Sequence, residues 1–533
     1  MPSPRETVNS NRKCPSVRVV HPACRVERVI SSQLMADATA WVSFLAPTNS
    51  ISSFFANQPL LAAATEATEK ETANGSLILA GVLLSLVVIY FASKLGGEIC
   101  SRINLPPVLG ELIGGVIVGI SALNLLVFPE GGADASSSMI ISFLQTTAGL
   151  TPEAAESVFQ TQGEVISIFA ELGVIILLFE IGLESDLQEL IRVGPQAAVV
   201  AVVGVVAPFV AGTAGLAFIF NVPPVPAIFA GAALTATSIG ITAKVLAEIG
   251  RLSTKEGQII IGAAVLDDVL GIIILAVVAS LAKTGEIVIT NVIYLIISAG
   301  VFLVGSILMG RFLSPYFVGL VNEMKTRGQV LITALIFALL LSYVATAIQL
   351  EAILGAFAAG LILAETDKRR ELEEQVIPVA DVLTPIFFVV VGAKTDLSVL
   401  NPTVPSNREG LILAIFLILV AIIGKVITGF TVFGQPGINR LAIGVGMIPR
   451  GEVGLVFAGV GAESGALSEA TEAAIIVMVI LTTFLAPPLL RLVFQEPDVE
   501  TTPSEIPTLE GASTETVAVE REGNSPSTPE EES

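Results

Sequence analysis

From residue 76 onward the chain alternates between long apolar runs and short polar breaks. The runs have the length a helix needs to cross a bilayer, roughly 20 residues. Hydropathy places about thirteen spans, at 76–94, 106–128, 164–184, 195–220, 225–248, 257–282, 287–311, 328–347, 351–365, 376–393, 409–433, 438–462 and 472–494. The ninth is short. The loop 129–163 is too long for a plain connection, and its stretch 138–147 predicts a surface helix. The pattern as a whole predicts an all-α polytopic membrane protein.

Two spans interrupt their own pattern. The fifth clusters Thr235, Thr237, Ser238, Gly240 and Thr242 in mid-run, and the twelfth sets Pro449, Arg450 and Glu452 among glycines. Proline removes a backbone donor and disrupts the turn before it. Unwound backbone inside a bilayer is tolerated only where it is buried in protein or lines a cavity. Taken singly, such breaks are often mere kinks, or hydroxyls bonding back to a carbonyl. Here they lie seven spans apart, and an odd offset means opposite orientation. Spans 4–6 and 11–13 are thus expected to form two triplets of inverted topology, each with a broken middle helix. Paired interruptions of this kind point to a transport site.

Composition agrees with the pattern. The 533 residues are 53% hydrophobic and 14% charged, where soluble domains run near about 25% charged. Alternate loops collect the cations, among them Arg192, Lys244, Arg251, Lys325, Arg327, Lys368, Arg369, Arg370 and Arg440. The opposite loops hold Lys283, Lys394 and Arg408. Basic loops face the cytoplasm, which puts the start of the first span outside and the C-terminus inside. Residues 1–75 form a basic N-terminal extension. It reads as a secretory signal peptide, whose long basic start points to translation from Met35, or alternatively as a disordered extension. The acidic tail, 495–533, is expected to be disordered and cytoplasmic, with no nucleotide-binding regulatory domain after the membrane region. Cys14, Cys24 and Cys100 lack metal-ligand spacing, and His21 is the only histidine, so a histidine-based zinc site is excluded.

The chemistry concentrates at Asp267 and Asp268, side by side in a run that is otherwise apolar from 258 to 281. A carboxylate at that depth is a functional-site hypothesis by default. Consecutive helical residues point about 100° apart, so the two cannot share one partner. One should face a cavity and the other a neighbouring helix, and the spacing leaves open which is which. Lys425 is a lone cation in mid-run of span 11, with Lys394 as a rival. Arg450 and Glu452 suit either a structural role at half-helix ends or a place on an ion path. Glu171 and Glu180 are expected in packing or a polar network. Glu184, Lys244 and Glu248 lie near span ends, where long side chains reach the interface. Gly110, Gly114, Gly115 and Gly119 suit close helix packing. An intramembrane aspartyl protease would need aspartates on two facing helices, which adjacent residues do not supply. No enzyme activity, resident cofactor or nucleic-acid partner is expected.

Six stretches carry a family resemblance: PPVLGELIGGVIVG (106–119), FAELGVIILLFEIGLE (169–184), ALTATSIGITAKVLAEIG (233–250), AAVLDDVLGIIILA (263–276), IIGKVITGF (422–430) and MIPRGEVGLVFA (447–458). Together they resemble the monovalent cation:proton antiporter-2 family, in its bacterial sodium/proton antiporter branch. The resemblance spans 76–494 and leaves out the N-terminal extension and the tail. It implies two inverted repeats with crossed discontinuous helices, the sodium/proton antiporter fold. It also implies a homodimer in which a mobile core, about 195–282 and 409–494, moves beside a dimerisation domain. The implied activity is electrogenic exchange of Na+, with Li+ or K+ as other candidates, for H+ by alternating access. A role in pH homeostasis and salt tolerance follows, in a plasma membrane or an internal energy-coupling membrane such as the thylakoid. Asp268 would be the ion-binding acid and Asp267 the partner of Lys425. Na+, a hard cation, would take oxygen ligands from Asp268, Thr237, Ser238, freed carbonyls and water. Thr235, Gly240, Pro449, Arg450 and Glu452 would shape the broken helices. The alternative is a potassium efflux antiporter or channel-like efflux system, which usually adds a nucleotide-binding domain.

Overall fold

The computed structural model describes residues 59–129, 133–284, 289–403, 405–434 and 436–494. The expectations for 1–58 and for the acidic tail lie outside the described residues. The chain divides into two compact units, 1–76 and 77–533. Of the first, residues 59–76 are described and are helical. The second holds the remaining described helices.

The helices in chain order are α1 (Pro59–Arg102), α2 (Pro107–Val118), α3 (Met139–Ala148), α4 (Pro152–Glu184) and α5 (Leu187–Phe218). A short pair comes next, α6 (Pro224–Ala233) and α7 (Ile239–Glu248), and then α8 (Lys255–Thr284). They continue with α9 (Ile289–Glu323), α10 (Gln329–Ala347), α11 (Ala352–Ala364), α12 (Arg369–Ala393) and α13 (Pro405–Gly429). A second short pair, α14 (Arg440–Gly446) and α15 (Glu452–Glu463), precedes α16 (Glu469–Phe494).

Among the described residues, nine helices are long and apolar enough to cross a membrane: α1 from Gly75, α4, α5, α8, α9, α10, α12, α13 and α16. The other four predicted spans are shorter helices or broken pairs. The second stops at Val118, because Gly119 turns extended and the backbone N–H groups of Leu125 and Leu126 fold back onto the Val118 carbonyl. The third span starts a dozen residues early. Thr151 caps α4 by accepting the Ala154 N–H, and Pro152 sits in the first turn, where its missing N–H costs nothing. The expected surface helix is α3. Ser138 caps it, Gly149 ends it at φ 66°, and Ile140, Ile141 and Leu144 pack on Ala155, Val158 and Phe159.

The helices form two groups. In one, α4 packs on α11 and α12, α12 on α2, and α10 on α11. Glycines set these contacts. A Cβ on Gly182 would run into the Phe357 carbonyl, and one on Gly115 into that of Val389. Gly110 and Gly114 meet α1 backbone, and Gly119 meets Ala393, so the close-packing expectation for these glycines matches the contacts. In the other group α5 packs on α8 and α13, and α13 on α16. Its contacts come in matched pairs: α5–α6 with α13–α14, α5–α8 with α13–α16, and α8–α15 with α16–α7. On the outside, Leu79, Leu83, Val87 and Phe91 of α1 repeat every four residues and are exposed, as are Ile293, Ile297 and Val301 of α9. An apolar stripe this long facing outward suits lipid. The protein is an integral multi-pass membrane protein.

Candidate functional site

The site is built where the two broken helices meet. Helix α6 stops at Ala233, and Thr235 turns its hydroxyl back to the Ala232 carbonyl at 2.7 Å, an alternative to continuing the helix. Helix α14 stops at Gly446, ahead of Pro449, which has no N–H to give. The links 234–238 and 447–451 are tied together. The Ser238 N–H donates to the Pro449 carbonyl at 2.9 Å, and the Thr237 hydroxyl to the Met447 carbonyl at 3.2 Å. One turn further, Thr242 donates to the Gly446 carbonyl at 3.0 Å. Gly451 permits this approach, since a Cβ there would lie 2.7 Å from the Ser238 hydroxyl oxygen.

Arg450 is fully buried at the crossing. Its guanidinium donates to the Leu234 carbonyl at 2.6 Å, to the Met447 carbonyl at 3.3 Å and to the Thr237 hydroxyl at 3.4 Å. Leu234 and Met447 are the C-caps of α6 and α14. The cation therefore sits on the negative ends of both leading half-helices, where unpaired carbonyls and the helix dipoles favour it. Thr483 of α16 in turn donates to the Arg450 carbonyl. Of the two roles open to Arg450 in the sequence, these bonds to half-helix ends suit the structural one. The geometry also narrows the ligand set: the carbonyls of Leu234, Met447, Pro449 and Arg450 each already accept a hydrogen bond.

Below the crossing lies α8. Asp267 and Lys425 are both fully buried, and the Lys425 ammonium donates to Asp267 Oδ2 at 2.9 Å. Among the described residues Asp267 Oδ1 has no hydrogen-bond partner. Gly204 of α5 makes room for the lysine, because a Cβ there would stand 3.2 Å from Nζ. Asp268, 2% exposed, looks the other way. It lines a small cavity together with Thr237, Ser238, Gly240, Gly451 and Glu351. The N-terminal ends of α7 and α15 open onto this cavity, so backbone N–H dipoles face a carboxylate.

The remaining sequence candidates fall as follows. Glu452 opens α15, and its side chain lies outside the described residues. Lys394 ends α12, near the Ser167 hydroxyl and 5.1 Å from the centre of the Phe128 ring, while Lys425 holds the aspartate. Glu171 is exposed rather than packed. Glu180, Glu184, Glu248 and Lys244 are each partly buried. Glu248 also accepts the Val108 N–H at the start of α2, at 3.2 Å. Glu351 was missed. It is the first residue of the ninth predicted span, 351–365, where a charge reads as a span end, and periodicity carries no signal for it.

A model of the transmembrane domain of sodium/hydrogen exchangers matches residues 82–496. The high-affinity Na(+)/H(+) antiporter NhaS3 of Synechocystis sp. is 71% identical over 451 residues, 84% of this chain and 98% of that one. The Na(+)/H(+)-K(+) antiporter GerN of Bacillus cereus is 31% identical over 418 residues, 78% of this chain and 96% of its own. Among solved structures, the sodium proton antiporter MjNhaP1 of Methanocaldococcus jannaschii superposes with a TM-score of 0.54 at 18% identity. The match covers 78% of this chain and 97% of that one, and it shows a shared fold.

Proposed function

The chain belongs to the sodium/hydrogen exchanger family, and on that premise we propose that Asp268 carries Na+ and H+ by turns at the crossing of the two broken helices. The protein exchanges Na+ for H+ across a membrane. The observation that carries the reading is a carboxylate 2% exposed, lining a cavity at that crossing. A bare charge so placed is costly to move through protein. A proton or a sodium ion each neutralises it, and the two compete for the same oxygens. Exchange is then obligatory, because only a loaded site crosses. Ser238 and Thr237 line the same cavity and supply hydroxyl oxygens to a hard cation.

The matched packing of α5–α8 and α13–α16 supports two repeats of inverted topology, which form a core moving against the group of α2, α4, α11 and α12. Asp267 and Lys425 lie within that core. Their pair supports a second proton step: sodium entry that loosens it releases a proton from Lys425, and exchange becomes electrogenic. The basic loops favour a cytoplasmic C-terminal side. Assembly as a homodimer belongs to the same reading.

The test is reconstitution of the full chain in liposomes, following proton flux on addition of Na+, Li+ and K+. Asp268→Asn is expected to abolish Na+-driven proton flux. The apparent KM for Na+ of the unaltered protein should rise as pH falls, through competition. Full-rate exchange by Asp268→Asn overturns the reading.

A further inference from the structure

We propose that Glu351 is a second carboxylate of the cation site, contributed by the start of α11, outside the two triplets that hold the crossing. The proposal rests on the reading of Asp268 as the ion carrier.

Glu351 stands at the N-cap of α11 with φ −71° and ψ 140°. Asp, the shorter acid, in that position turns back to the first N–H groups of its helix. Glu351 does not; its side chain makes no capping bond, and the Leu354 N–H is met by the Glu351 backbone carbonyl instead. Among the described residues the Glu351 carboxylate takes part in no ion pair. The buried cations nearby are committed elsewhere, Lys425 to Asp267 and Arg450 to the half-helix carbonyls. Glu351 lines the same cavity as Asp268, Thr237, Ser238 and Gly451.

Two carboxylates on one small, partly closed cavity repel each other unless a positive charge lies between them. If the position served packing alone, a neutral side chain of similar volume would serve better. The cavity instead concentrates four side-chain oxygen groups, two of them acidic, which is the donor set a hard monovalent cation takes. The source of the second acid matters as well. Helix α11 packs mainly on α4 and α10, in the group opposite the core. A cation held by Asp268 and Glu351 together thus bridges the two groups in the access state seen here. Movement of the core carries Asp268 away from Glu351 and lowers the affinity for the cation on the other side.

The experiment compares Glu351→Gln, Glu351→Asp and Asp268→Asn in proteoliposomes, with KM and Vmax for Na+ and Li+ separated. In parallel, the thermal midpoint of the purified full chain in detergent is read with and without Na+. Glu351→Gln is expected to raise KM for Na+ about five-fold or more with Vmax within about two-fold, and to lose most of the sodium-dependent stabilisation. Glu351→Asp, with its charge on a shorter arm, should fall between. A KM for Na+ in Glu351→Gln indistinguishable from the unaltered protein overturns the proposal. So does a collapse of Vmax at unchanged KM that Glu351→Asp does not relieve. If Glu351→Gln does not fold, an unchanged KM and an unchanged sodium stabilisation in Glu351→Asp overturn it. Should Asp268→Asn still exchange, the underlying reading fails. If Asp268→Asn is inert while Glu351→Gln keeps its KM, only the role of Glu351 fails.

Discussion

Asp267 and Lys425 are fully buried and 2.9 Å apart, so removing either partner alone leaves the other without compensation. Breaking a buried pair this way costs about 3–5 kcal/mol, whereas replacing both by neutral groups is often close to neutral. Lys425→Gln is therefore expected to lower the thermal midpoint clearly. The double change Asp267→Asn with Lys425→Gln should recover much of that loss. The same single change tests the electrogenic step. Na+ flux should persist while the accompanying current vanishes, and an unchanged current sinks that part of the mechanism. Position along the chain favoured Lys425, in mid-span, over Lys394 at a span end, but it did not show what either ammonium meets. Only the fold sets one ammonium on Asp267 and the other beside Phe128.

At the scale of elements, the crossing depends on how closely two unwound links approach. Gly451 has no room for a side chain beside Ser238. Gly451→Val should keep the helical content of the protein and lose transport, because the links must separate. Circular dichroism together with flux checks this. Arg450→Met removes the donor from the C-cap carbonyl of Leu234, while the Met447 carbonyl keeps the Thr237 hydroxyl. Each buried acceptor left unsatisfied costs about 1–3 kcal/mol. A drop in thermal midpoint is expected, larger than for Arg370→Met, which loses an exposed ion pair worth little. A midpoint equal to that of the unaltered protein would show that the guanidinium is dispensable at the crossing. The interruptions were legible in the sequence, since proline, glycine and hydroxyl residues weaken a helix wherever they stand. What fills the break was not, because a guanidinium that spans two half-helix ends joins positions more than two hundred residues apart.

At the scale of the whole molecule, the proposed motion runs between two helix groups that meet where α4 touches α7. A Cβ at Gly240 would lie 3.4 Å from a methyl of Val174, across that boundary. In a chain with Cys14, Cys24 and Cys100 replaced by serine, cysteines at 174 and 240 should form a disulfide that arrests exchange. Reduction should restore it. Cysteines at 197 and 262, which join α5 to α8 within one group, should leave exchange running when oxidised. Equal rates for the oxidised and reduced 174–240 pair would remove the moving-core mechanism while leaving the site chemistry intact.

The amino-acid sequence by itself determined where helices run, where two of them fail, and that a pair of acids sits too deep in apolar surroundings to be incidental. Those are local consequences of hydropathy, missing donors and the expense of buried charge. Helix spacing left open which acid meets Lys425, the family resemblance implied Asp267, and the tertiary structure sets the ammonium there; that structure alone decided what Arg450 holds together and that Glu351 lines the same cavity as Asp268. Each of these depends on the angles at which distant helices cross, and no periodicity along one chain encodes an angle between two.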